Sequence, residues 1–196
     1  MNRYFIIILV FFSCNSFSQD YQKINKVINI PDSLTHVREL RIYKNHSISN
    51  GSEVFRIYHI KNNNWKIELY KFYDTVTPDE TPAFTIEQLN SSINLNRLWL
   101  DVLETHVEFL PNISAIDYKL KFKTVYDSDT DDYGSTKKIA FTDGIGYIAF
   151  IRNYNKVNQF NFTNAESYLK YFPEVDELNS YSNLLNLIRD KFSIWK

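Results

Sequence analysis

The chain has 196 residues and a mass of 23.3 kDa, with 22 Lys+Arg against 23 Asp+Glu and a net charge of -1. One domain of ordinary size is therefore the starting expectation, and a pI near 6.4 runs against the basic footprint of a nucleic-acid binder. A 44% hydrophobic share with only 4 Gly and 5 Pro excludes collagen-like, low-complexity and disordered classes.

Residues 1–18 read as an export signal. Arg3 supplies a short positive region, Phe5 to Phe12 an apolar run, and Ser16 and Ser18 put small residues at -3 and -1 of a cut between Ser18 and Gln19, in the order of a secretory signal. The run falls well short of the ~20 apolar residues that a spanning helix needs, so no transmembrane span is expected in the mature chain. Cys14 offers a second reading. Phe11-Phe12-Ser13-Cys14 resembles a lipoprotein lipobox, in which an acylated cysteine tethers the product to a membrane, but Phe11 stands where that pattern wants Leu. Cleavage at Ser18 is favoured because its site is better formed. The expected location is periplasmic or extracellular, with a lipid anchor at Cys14 as the alternative. Cleavage at Ser18 also removes the only cysteine. Burial alone then has to stabilise the product, and cysteine nucleophiles, thiol pairs and Cys-zinc sites drop out.

Residues 19–34 show no clear period and contain the breaker Pro31-Asp32-Ser33. Val37 to Lys44 alternates Leu40 and Ile42 with charged neighbours and predicts a strand. A turn signal at Asn50-Gly51 leads to a second strand, Glu53 to Lys61, and Asn62-Asn63-Asn64 to a third, Trp65 to Asp74, with Trp65, Ile67 and Leu69 on one face. Residues 77–82 then read as an exposed connection. Leu95, Leu98, Trp99, Val102, Leu103 and Val107 recur at helical spacing, predicting a helix over about 92–109, capped from Thr85 or Asn94 and stopped at Pro111. Tyr118, Leu120, Phe122, Thr124 and Tyr126 alternate with Lys119, Lys121 and Lys123 and predict a half-buried strand. Lys137 to Thr142 and Gly146 to Arg152 flank Asp143-Gly144, a hairpin signal, and Lys156 to Phe162 supplies a further strand. Asn164 is placed to cap a segment over 165–172, and Pro173 to open a helix whose stripe is Leu178, Tyr181, Leu184, Leu185, Leu187 and Ile188.

Segregated strands and helices indicate an α+β fold: a predominantly antiparallel sheet, two meanders of about three strands, with amphipathic helices packed on one face. Residues 19–196 form one domain, with a possible internal βββα pseudo-repeat over 35–110 and 117–194.

Candidate chemistry is sparse. Asp127, Asp129 and Asp131 alternate in a loop as calcium ligands do, but Asp132 and Lys138 stand where an EF-hand loop needs Gly and Glu; a solvated acidic loop is the simpler reading. His36, His46, His59 and His106 are not paired at a metal-ligand spacing, and no P-loop, G-x-G-x-x-G, G-x-S-x-G or S-x-x-K occurs. Glu104 and Glu108 lie one helical turn apart, the separation of a carboxylate pair, yet on an amphipathic helix they face water. Lys119, Lys121 and Lys123, with Tyr43, Tyr58, Tyr70 and Tyr73 elsewhere in the sheet, form the candidate ligand or partner surface, since cations beside aromatics grip sugars, phosphates or acidic surfaces. Lysines that guard a sheet edge from aggregation would give the same pattern. No cofactor, metal or catalytic residue is assigned. The expectation is an exported binding or accessory protein of the bacterial cell envelope, whose partner is an unidentified protein or envelope component. A hydrolase of envelope or extracellular polymers, built from scattered Asp, Glu and His, is the alternative.

Overall fold

The structure is a computed structural model and describes residues 20–46, 49–61, 64–77, 79–122, 126–129, 131–133, 139, 141 and 144–195. The signal segment with Cys14, the Ser18–Gln19 cleavage site, Lys123 and most of the expected strand over 137–142 lie outside the described residues.

The chain opens with helix α1 (Asp20–Ile28), then runs through strands β1 (Arg38–His46), β2 (Gly51–His59), β3 (Trp65–Tyr73) and β4 (Ala83–Gln88). Helix α2 (Leu95–Glu104) and a 3-10 helix (Ile113–Lys119) follow. The rest comprises the short strands β5 (Tyr126–Asp127) and β6 (Asp132–Tyr133), the long strands β7 (Ile145–Asn153) and β8 (Lys156–Thr163), and helices α3 (Ala165–Leu169) and α4 (Asp176–Phe192). Six strands form one antiparallel sheet in the order β4-β3-β2-β1-β7-β8. The α+β fold with an antiparallel sheet is the one that the hydrophobic patterning implies. The central strand, β1, pairs with β2 on one side and β7 on the other, so both halves of the chain share the same sheet.

Leu40, Ile42, Phe55, Ile57, Ile67, Leu69, Ala149 and Ile151 turn one sheet face toward α2 and α4, which contribute Leu98, Trp99 and Val102 and Leu178, Tyr181, Leu184, Leu185 and Ile188. Rings from two strands and α4 stack there: the Phe162 and Tyr181 centroids are 4.7 Å apart at an interplanar angle of 6°, and Tyr147 stacks on Phe162 at 5.0 Å. Offset aromatic contacts of this kind add to the area they bury. The α2 start is the one the sequence signals: the Asn94 carboxamide accepts from the backbone N–H groups of Asn96 and Arg97, satisfying two otherwise orphaned donors.

Helix α1 lies on the opposite face. Ile24 and Ile28 pack with Tyr43, Val54, Tyr70, Phe72 and Ile148. This second layer was hidden in a segment without obvious period, so the helices are divided between the two faces, with the larger layer on the expected one. Strand β4 follows the connection over 77–82, in residues to which the sequence reading assigns no element, because a six-residue edge strand exposed along its length leaves no alternation of burial. The largest correction falls at Tyr118 and Lys119, the opening of the strand expected there. The stretch Ile113–Lys119 winds as a 3-10 helix that buries Ile116, since the apolar anchors here are Ile116 and Leu120 and not Tyr118 or Phe122, both exposed. Just before β7, a Cβ on Gly144 would meet the Asn164 side-chain nitrogen at 2.4 Å, so any larger residue requires the Asn164 carboxamide to move. No helix among the described residues is long and apolar enough to cross a membrane.

Candidate functional site

The sequence-predicted surface is dispersed by the fold. Lys119 sits on the 3-10 helix, where its Nζ donates to Glu177 Oε1 at 2.6 Å; that bond raises its pKa. Lys121 is half-buried beyond it, and Lys123 lies outside the described residues. Lys119 therefore does not stand on a strand face with Lys121, because residues 113–119 are helical. Lys119 leans on α4, on the far side of the sheet from Tyr43, Tyr58 and Tyr70, which are buried among the residues of the second face. Glu104 and Glu108 do not form a carboxylate pair either: α2 ends at Glu104, and Glu108 accepts from Asn153 Nδ2 at 3.0 Å and lies 3.6 Å from Lys156 Nζ. In the acidic loop, Tyr126 donates to Asp131 Oδ1 at 2.5 Å; much of the loop is outside the described residues. His36 lies tilted against Tyr58 with ring centroids 4.3 Å apart, and His59 meets Trp65 edge-on at 5.0 Å.

The second face carries the densest polar chemistry. The β1–β2 register sets Arg41 beside Arg56, and the next two steps across the sheet set Arg56 beside Glu68 and Glu68 beside Gln88. Like charges at Arg41 and Arg56 are reconciled by Glu39, which is 0% exposed and whose Oε1 accepts from Arg41 Nε at 2.7 Å and Arg56 Nε at 2.9 Å. Its other oxygen accepts from the backbone N–H groups of Thr35 and His36, at 2.8 and 3.0 Å. Arg41 also donates to the carbonyls of Pro31 and Ser33. Glu68 takes Tyr70 Oη at 2.7 Å, Gln88 Nε2 at 3.0 Å and Tyr58 Oη at 3.2 Å.

Electrostatically this network is closed. Burial pushes the Glu39 carboxyl up, but the Arg41 and Arg56 guanidiniums outweigh it, and with the His36 N–H they bring it down to about 2. Burial likewise raises Glu68, but hydrogen bonds from Gln88 and Tyr70 and the charge of Arg56 hold it below the ordinary carboxylate range. Burial and the Glu68 anion raise Tyr70. A carboxylate so stabilised is a poor proton donor or acceptor near neutral pH. The network instead clasps the α1–β1 connection to the sheet. From the sequence Glu39 and Arg41 read only as charged neighbours of Leu40 and Ile42; the cover over them is not visible there.

At the end of the sheet away from the clasp, where β1 and β8 finish and β7 starts, lies a pocket of about 270 Å³ lined by Asn45, Ile113, Gly146, Ile148, Asn161 and Thr163 among others. Gly146 opens it: the register puts Gly146 between Asn45 and Thr163, and a Cβ there would stand 3.6 Å from Thr163 Cγ2, filling the space in ordinary contact. The Asn45 Oδ1 atom is buried and has no hydrogen-bond partner among the described residues, an uncompensated desolvation for a polar atom. The lining bears no ionisable side chain other than the Tyr147 phenol. Sequence patterning had no means of marking Asn45 or Gly146, which are distant in the chain. Among the described residues, no group of three or more His, Cys, Asp and Glu side chains gathers as a metal site would. Comparison with protein-family models, curated proteins and solved structures finds no match.

Proposed function

We propose that the chain is an exported binding or accessory module of the bacterial cell envelope that takes a small neutral group of an envelope component in the pocket between Asn45, Gly146 and Thr163. The observation that carries the reading is a pocket of about 270 Å³ lined in part by Asn45, whose buried Oδ1 has no hydrogen-bond partner among the described residues. An acceptor left bare in a concave, largely apolar site gains a full hydrogen bond from an arriving O–H or N–H. With Ile113 and Ile148 as apolar walls and Asn161 and Thr163 as further polar groups, a pyranose fits in kind: hydroxyls for the amides, a C–H face for the isoleucines. The volume suits one sugar unit and not a long polymer segment, which lies at the low end for ligand pockets. Charged ligands find no counter-charge in the lining.

Calorimetry with N-acetylglucosamine as the neutral probe and inorganic phosphate as the anionic one tests this. The sugar is expected to bind in the millimolar range, about -4 kcal/mol, with both Asn45→Ala and Gly146→Val abolishing the heat and phosphate giving none. Absence of sugar binding rejects the ligand class; sugar binding that survives both substitutions rejects the pocket. Release of reducing ends from a glycan polymer would move the protein to the hydrolase reading. Mass spectrometry of the mature N-terminus tests the export half: pyroglutamate from Gln19 is expected, and an acylated Cys14 would replace a free periplasmic protein by an anchored one.

A further inference from the structure

The two edges of the sheet are treated differently. At β8 the chain covers its own edge. The outward Asn161 N–H donates to Asn112 Oδ1 at 2.9 Å, and Asn158 Nδ2 donates to the carbonyls of Val107 and Leu110 at 3.1 and 2.9 Å. At β4 no described residue plays that part. The strand is exposed along its length, with Phe84 at 38% and Ile86 at 50%, and Ala83–Gln88 contains no lysine, proline or bulge, the usual devices that blunt an edge.

The register says what such an edge accepts. Leu89 N–H donates to Ile67 C=O at 2.9 Å within the β3–β4 pairing, so odd-numbered residues of β4 bond inward to β3. The N–H and C=O groups of Phe84, Ile86 and Gln88 therefore point outward. A second β4, related by a two-fold axis through Thr85, meets them in phase. Phe84 of one copy exchanges both hydrogen bonds with Ile86 of the other, twice over, and Gln88 N–H reaches the C=O of Pro82, which has no N–H to offer. Thr85 faces Thr85, and Phe84 faces Ile86 on the face that also carries Tyr70 and Phe72; aromatic to β-branched and Thr–Thr pairs are favourable cross-strand partners. The strand's only charge, Glu87, falls opposite Ala83 of the copy and is already 3.9 Å from Lys71 Nζ, so no like charges meet.

We infer that β4 is a self-association edge and that two copies of this chain join there antiparallel about Thr85, making one continuous twelve-stranded sheet. The contact buries little beyond Phe84 and Ile86, so the dimer is weak and reversible, of the transient class of interface.

Sedimentation equilibrium of the purified protein up to about 1 mM, with two blocking variants, tests it. Ile86→Pro removes one outward N–H while leaving the β3 bonds intact, as an edge strand tolerates; Ile86→Lys adds an edge charge. The wild type is expected to dimerise, and each variant to raise the dissociation constant by at least about tenfold. In a Cys14→Ser background, Thr85→Cys is expected to form a covalent dimer on oxidation. The facing Cα atoms of a non-hydrogen-bonded pair lie about 4.5 Å apart, within disulfide reach. A wild type that stays monomeric, or a dimer that survives both Ile86 variants, overturns the proposal. So does cross-linking through Ile86→Cys and not Thr85→Cys, which would place the axis elsewhere. A monomer that pairs an unrelated extended peptide along β4 would assign the edge to a foreign strand instead.

Discussion

Glu39 is the residue on which the second face depends. Its carboxyl sits at about 2 in the folded chain against 4.5 for the free group. The folded pKa is the lower one, so the contribution is fully present above about pH 4.5 and is lost as pH falls toward 2. By linkage it is worth about 3 kcal/mol at neutral pH. Glu39→Gln should therefore flatten the stability profile between about pH 5 and pH 2, measured by urea unfolding at a series of pH values; an unchanged slope would show that the carboxylate is not held as described. Glu39→Ala is expected to cost more, about 3–5 kcal/mol, because Arg41 and Arg56 would be left buried without their counter-charge. Four charged side chains in β1, β2 and β3 were legible as strand residues facing away from Leu40 and Ile42. Their burial was not, since it depends on which segment returns to cover them.

The elements divide by how much their own sequence decides. Helix α2 announces itself through the Leu98, Trp99 and Val102 stripe and the Asn94 cap, and Asn94→Ala should cost about 1 kcal/mol by thermal unfolding. Helix α1 has its apolar residues at Tyr21, Ile24 and Ile28, with Asn25 fully buried between them and accepting from Tyr43 Oη at 2.6 Å. That polar residue on the inner face blurs the period; the Tyr43 hydroxyl, together with Asp32 Oδ1, which accepts from Asn25 Nδ2 at 2.9 Å, makes the arrangement tolerable. Ile24→Ala should cost about 2–5 kcal/mol as a core truncation, read from the denaturant midpoint; a loss near zero would mean that α1 does not dock. The stretch 113–120 fails in the other direction. Its alternation of aromatics and lysines imitates a strand, but the isoleucines and leucine that the core takes are three or four residues apart, at Ile113, Ile116 and Leu120.

At the scale of the molecule, one sheet separates two apolar layers. Ile24 belongs to the α1 layer and Leu184 to the α4 layer, with no shared neighbour on the same side of the sheet. Their alanine substitutions should therefore add to within about 0.5 kcal/mol in a double-mutant cycle, while the unfolding transition remains single because the six strands of the main sheet form one hydrogen-bonded ladder through β1. Strong coupling between the two sites would mean that the layers communicate through the sheet. The pocket at Asn45 and Gly146 arises only at this scale: it joins β1 to β7, more than 90 residues later in the chain, and neither residue has a local signature.

Local sequence determined the long antiparallel strands and the α2 and α4 stripes, because a two-residue or 3.6-residue period needs only one buried side to become visible. It also determined the expectation of export, which rests on the order of charge, apolar run and small residues at the N-terminus. Only the tertiary structure decided that a second helix roofs the far face, that Glu39 and Glu68 are saturated anions and not free carboxylates, that Lys119 pairs with Glu177 on α4, and that β4 is left as an edge. Each of these depends on which distant segment lies against a given side chain, and cross-strand register, not local periodicity, sets that.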